Sequence, residues 1–124
     1  MDTSETYIKM HLALPKKFQM QPQEGDYYYD KETGEVGGRM GEVYFNTDKM
    51  IKLYEQDQLQ AMVKRGREDF FPYNFLWRLY RAISPDSKGN IYNPEFTSME
   101  QLGLAFVVKE RWNKVWNRSE WTVT

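Results

Sequence analysis

The chain has no cysteine and a single histidine, His11. Without thiols there are no disulfides, no thiolate nucleophile and no thiolate metal site. One imidazole argues equally against a zinc site and a histidine-based catalytic triad. No apolar run approaches the roughly 20 residues that span a bilayer, and the opening residues lack a signal-peptide pattern, so a cytoplasmic protein without a membrane role is expected. Net charge is also small, −1 from 17 Lys/Arg and 18 Asp/Glu. A duplex-DNA binder draws most of its non-specific affinity from a basic excess, so duplex nucleic acid is not an expected partner. Aromatic residues, by contrast, are plentiful: 4 Trp, 9 Tyr and 7 Phe make 16% of 124 residues. That length fits one domain covering residues 1–124, and the rings supply a core or a stacking platform for a planar ligand.

The small net charge hides an asymmetry. Residues 1–60 carry 7 Lys/Arg against 11 Asp/Glu, and residues 61–124 carry 10 against 7. The basic half is too weakly charged for duplex DNA but sufficient for a small anion, which two or three converging cations hold. Uneven solvated charge on an ordinary surface explains the same pattern.

Ser4 and Glu5 open a helix towards Leu14, where Pro15 stops it, and His11 sits within it as a packed or exposed residue rather than a catalytic one. The prolines of residues 15–22 suggest an extended linker. Residues 25–30 are rich in β-formers, and 31–38 carry turn chemistry. Met40 to Asn46 and Lys49 to Leu53 complete a small antiparallel meander. Asp57 is a good N-cap for a short helix ending at Gly66. Asn74 to Ser84 forms another, stopped by Pro85. On a 100° wheel Phe75, Leu76, Leu79, Tyr80 and Ile83 share one arc, with Asn74, Arg78 and Arg81 opposite. Thr97 with Glu100 and Ser98 with Gln101 are overlapping capping boxes for a helix running to about Val115 or Trp116, and Glu120 to Thr124 can return as a strand. The fold class is therefore α+β: a small antiparallel sheet with an N-terminal helix and two or three C-terminal helices packed on it.

The last helix is the most informative. Its apolar arc, from Met99 through Trp112 to Trp116, covers about 220° and needs cover on several sides, so a homodimer or higher symmetric oligomer is expected, with residues 98–116 near the interface. Lys109 and Asn113 interrupt that arc at i, i+4 spacing, which brings their side chains together. A lysine there either reaches solvent, pairs with an acid of the sheet half, or lines a pocket in which Lys109 holds a phosphate or carboxylate and Asn113 bonds a base edge or hydroxyl. A second candidate is Arg65 and Arg67 beside Phe70, Phe71 and Tyr73, combining phosphate contacts with stacking; Arg78 and Arg81 extend that cationic surface. Core aromatics flanked by solvated charges account for the same residues. Acidic pairs such as Asp26 with Asp30 lie in turn-like segments without acid–base partners, and no serine sits in an elbow motif, so neither an enzyme nor a cofactor is expected.

Three stretches carry a resemblance: Thr6–Met10, Gln56–Gln60 and, most specifically, Ser98–Asn117 with its Lys-Val-Trp-Asn run and the following Asn117–Trp121 tail. They resemble small phage and prophage proteins, mostly of unassigned function. The small size, meander and C-terminal helices are also similar to the Thoeris anti-defence sponges, which hold cyclic ADP-ribose-type immune signals without cleaving them. The resemblance implies a phage-encoded, non-enzymatic protein of the host cytoplasm that sequesters a small nucleotide-like anionic ligand. On that expectation Lys109, Asn113, Arg65, Arg67, Phe71, Arg78 and Arg81 are the candidate ligand-binding residues. A protein–protein inhibitor of the anti-CRISPR type, or a nucleic-acid-binding accessory protein, stands beside it. A sponge needs a concave pocket with a cation beside an aromatic ring, and an inhibitor needs an exposed patch.

Overall fold

The computed structural model describes residues 1–20, 22–23, 25–37, 49–63, 72–83, 91 and 96–123; for residue 17 and residues 72–75 it describes the backbone alone. The fold is α+β, and among the described residues it comprises four helices, one single 3-10 turn, a three-stranded antiparallel sheet and a two-stranded hairpin.

Helix α1 (Glu5–Leu12) starts where expected, with the Ser4 hydroxyl accepting from the Tyr7 amide at 3.3 Å. It buries Tyr7, Met10 and His11, with Leu14 just beyond, a run of i, i+3, i+4 and i+7 that defines one helix face. The linker contains one 3-10 turn (Lys16–Phe18) that lays Phe18 flat on Trp112, with ring centroids 4.0 Å apart.

In the sheet, β1 (Tyr27–Asp30) is central, flanked by β2 (Val36–Gly37) and β3 (Met50–Leu53). Tyr28 faces Gly37 on one side and Lys52 on the other. The β1–β2 turn is fixed by Asp30, whose side chain accepts from the Glu32 amide at 2.8 Å and the Thr33 amide at 3.3 Å, and by Gly34 at φ 75°. The expected turn segment thus also contributes a two-residue strand, while the expected strand Met40 to Asn46 lies outside the described residues. Strand β3 alternates as a half-buried strand must, with Ile51 and Leu53 inward.

Helix α2 spans Gln56–Met62, and its N-cap is Glu55 rather than Asp57: the Glu55 amide donates to Gln58 Oε1 at 2.9 Å. Its expected terminator, Gly66, lies outside the described residues. Helix α3 spans Pro72–Ile83, two residues longer at its start than expected, with Pro72 in the first position, where its missing N–H costs nothing.

Helix α4 (Met99–Trp112) is the centre of the molecule. Gly103 to Val108 are buried without interruption, and the helix packs against α1, α2 and α3. The cover that its apolar girth demands therefore comes from this same chain, which removes the argument for self-association from that girth. The helix also ends earlier than expected. Asn113 adopts the left-handed conformation, φ 55° and ψ 43°, with its amide donating to the Lys109 carbonyl at 3.0 Å. Val115 and Trp116, expected on the helix, instead belong to β4 (Lys114–Trp116), which pairs antiparallel with β5 (Trp121–Val123). Trp116 and Trp121 face each other across the hairpin and are both buried, and the Trp121 indole donates to the Met10 carbonyl at 3.0 Å.

Candidate functional site

The early end of α4 changes what Lys109 and Asn113 are. They do meet, the Lys109 ammonium donating to Asn113 Oδ1 at 2.7 Å, but at the exposed C-terminal end of the helix rather than within an apolar stripe. A cation in the last turn complements the helix dipole, and asparagine is a common left-handed cap, so geometry accounts for both residue types.

The arginine group is divided. Arg65, Arg67 and Phe71 lie outside the described residues. Arg78, expected on the outer face, points inward: one guanidinium nitrogen donates to the Val63 carbonyl at 2.8 Å, the other is 3.7 Å from Glu110, and the group lies 5.6 Å from the Phe106 ring centroid. It closes the carbonyl end of α2 onto α4. Arg81 is exposed. Among these candidates, then, Lys109 and Asn113 are brought together and Arg78 is taken into the fold.

The same rotation turns apolar residues outward. Of the arc that sequence periodicity assigns to the core, Leu79 is buried, but Leu76 is 49% and Tyr80 63% exposed, beside Trp77 at 60%. The buried sector of α3 instead runs from Arg78 through Ala82 and Leu79 to Ile83. Trp77 and Tyr80 lie 6.0 Å apart with ring planes 20° from parallel. Leu76 sits one turn below Tyr80, and Trp77 one turn below Arg81, giving two adjacent columns on one helix face. Sequence periodicity missed this surface. The available signal was Trp77, a bulky ring off the apolar arc and next to two arginines.

Two polar clusters lie elsewhere, and in both the functional groups engage one another. At the start of α4, the Asp2 carboxylate accepts from the Ser98 hydroxyl, from the Gln101 side-chain Nε2 at 2.8 Å and from the Ser4 backbone N–H at 2.8 Å. Burial works against its ionised form, and the bonds from Ser98, Ser4 and Gln101 outweigh that, leaving the Asp2 carboxyl below the ordinary aspartate range. With Glu100 it borders a shallow open depression that also includes Thr97 and Thr3, acidic and thus unsuited to an anion.

The second cluster is buried. The Tyr7 hydroxyl donates to the Tyr54 carbonyl at 2.6 Å, and the Tyr54 amide donates to His11 Nε2 at 3.2 Å. With Nε2 accepting, the ring proton sits on Nδ1 and is directed at the Tyr7 carbonyl, 2.9 Å away. Burial pushes the imidazole down to about 4, against the opposing pull of that bond. Burial raises Tyr7, helped by the charges of Glu100 and Asp2, and pushes Tyr54 up to about 12 against the field of Arg111. A neutral imidazole with both nitrogens occupied holds two chain segments together. Among the described residues no group of acids and histidines is arranged to hold a metal ion, and no helix is long and apolar enough to cross a membrane.

No protein-family model matches this chain, and no curated protein and no solved structure matches it.

Proposed function

We propose that this is a non-enzymatic binding protein that acts by docking a protein partner on the outward face of α3. The observation that carries this reading is the exposed row Leu76, Trp77 and Tyr80, in which two residues of the apolar arc stand beside Trp77 and the protein's own core leaves all three uncovered. Exposed, contiguous apolar surface on a helix marks an interaction site, and aromatic side chains of this kind anchor protein interfaces. The polar clusters support a non-enzymatic role, since Asp2 and His11 have their hydrogen-bonding positions filled by the protein itself.

A small anionic ligand needs an enclosed, cationic and aromatic concavity. Among the described residues of α3 that expectation reduces to Arg81 beside the exposed Trp77 and Tyr80, because Arg78 is bound to Val63 and Glu110. An exposed apolar row with one cation suits a protein better than a nucleotide, so the inhibitor class is favoured over the sponge class. The resemblance to phage proteins supports a setting in the host cytoplasm and a partner from host defence or host physiology.

Site-specific photocrosslinking in cells tests the proposal. A benzophenone amino acid at position 77 or 80 should give a discrete protein adduct, and one at the exposed position 123, away from α3, should not. Absence of adducts from 77 and 80, with an intact nucleotide released when the purified protein is denatured, would replace docking by sequestration.

A further inference from the structure

Beyond docking itself, and resting on that reading of α3, we infer that the segment received by this face is acidic: an amphipathic helix of another protein that lays apolar side chains on Leu76, Trp77 and Tyr80 and sets a carboxylate against Arg81. Charge complementarity decides the occupant. Helix α3, Pro72–Ile83, contains no Asp or Glu and two arginines. One of them, Arg78, is neutralised within the fold by Glu110. Arg81 is exposed and, among the described residues, makes no ion pair or hydrogen bond. It stands one turn from Trp77, at the end of the exposed apolar columns.

Alternative occupants fit this arrangement less well. A second copy docking its own α3 about a two-fold axis places Arg81 opposite a helix without a carboxylate, so the symmetric contact adds like charges and supplies no partner for either. A nucleic acid presents a phosphate at every step and is held by several cations, whereas this face offers three apolar side chains for one exposed arginine. A helix fits the shape of the face, because the Leu76–Tyr80 and Trp77–Arg81 columns form i, i+4 ridges that interdigitate with the ridges of another helix. Since Arg81 lies at one end of those ridges, a carboxylate on the incoming helix also sets its direction.

Two labelled helical peptides of about four turns, sharing one leucine-isoleucine face and carrying flanking Glu in one and Lys in the other, test this by fluorescence anisotropy. The Glu peptide should bind the wild-type protein at least about tenfold more tightly than the Lys peptide, and Arg81→Glu should reverse that order. Trp77→Ser with Tyr80→Ser should abolish binding of both while the protein keeps its circular dichroism and melting temperature. Equal binding of the two peptides, or an unchanged order in Arg81→Glu, overturns the acidic occupant; if the double serine variant still loses binding, docking on α3 survives. Peptide binding undiminished by the serine pair overturns both. A dimer in sedimentation that the serine pair converts to monomer assigns the face to a second copy and overturns the inference.

Discussion

His11 accepts the backbone amide of Tyr54 while its other nitrogen faces the carbonyl of Tyr7, so one neutral ring joins α1 to the segment between β3 and α2. A proton added at Nε2 turns that acceptor into a donor aimed at another donor.

Stability should therefore fall on mild acidification. The imidazole is at about 4 when folded, against 6.5 for a freely solvated histidine. A depressed histidine leaves the unfolded chain binding more protons than the folded one between those values. Its contribution is whole above pH 6.5, declines as pH falls, and is exhausted below about 4, a loss of about 3 kcal/mol. Asp2, also lowered, acts in the same direction but only below its ordinary 3.8. Stabilities from urea unfolding at pH 7.5 and 4.5 should differ by most of this amount, and His11→Gln should flatten the profile above pH 4.5. A flat wild-type profile across that range would refute the buried neutral ring.

Gly37 is the place where the Tyr28 ring crosses its neighbouring strand, and a Cβ added at Gly37 would overlap that ring. Gly37→Ala should cost about 1–3 kcal/mol, the range for forcing a side chain out of its packed position. The same substitution in a Tyr28→Ala background should be close to neutral. Chemical denaturation of the four proteins in this cycle measures the coupling, and additive losses would count against the contact.

Asn113 and Lys109 should respond as cap and surface charge. Asn113→Gly preserves the left-handed turn and should leave stability within about 0.5 kcal/mol, whereas Asn113→Val should cost about 1–2 kcal/mol for forcing a branched side chain into it. Lys109→Met should change stability by less than about 1 kcal/mol. A loss of several kcal/mol in the thermal melt of Lys109→Met would instead indicate a buried, paired ammonium.

The two arginines of α3 should separate cleanly in stability. Arg78→Ala removes the donor to the Val63 carbonyl and the cover over Phe106, and should destabilise by about 1–3 kcal/mol. Arg81→Ala, at an exposed position, should stay within about 0.5 kcal/mol. Equal melting shifts would contradict the orientation of the helix.

The sequence made helix starts readable because caps are local chemistry: Ser4 and Ser98 bond the amide three residues on, as their positions imply. Fold class was likewise legible, from β-forming residues and turn chemistry in 25–53 and from the caps and prolines that bound the helices. The end of α4 was not, since Val108, Trp112, Val115 and Trp116 suit a helical stripe and a hairpin strand equally well, and the left-handed turn at Asn113 leads into a hairpin whose Trp116–Trp121 pairing is not local in sequence. The candidate site on α3 was half legible. A wheel locates an apolar arc but not which part of it the core occupies. Here Arg78 covers Phe106 and bonds the Val63 carbonyl while Tyr80 stays outside, so the helix is turned towards its arginine. Glu55 was passed over as a cap because its box is closed by Gln58, and glutamate is a weaker signal than the aspartate two residues later.

Because α4 is the element on which the other helices rest, the order of synthesis matters for this protein. Tyr7, Met10 and Leu59 find their burial against a helix that is translated after all of them. At about 5–20 residues per second, the interval between Met10 and Val108 leaving the peptidyl-transferase centre is on the order of 5–20 s. During that interval α1 can already meet the end of β3 through Tyr7 and His11 on Tyr54, but the helix that covers Tyr7, Met10 and Leu59 is still missing. The buried cluster is therefore complete only once Met99–Trp112 and the hairpin behind it have been made, which places closure of the core at the end of synthesis.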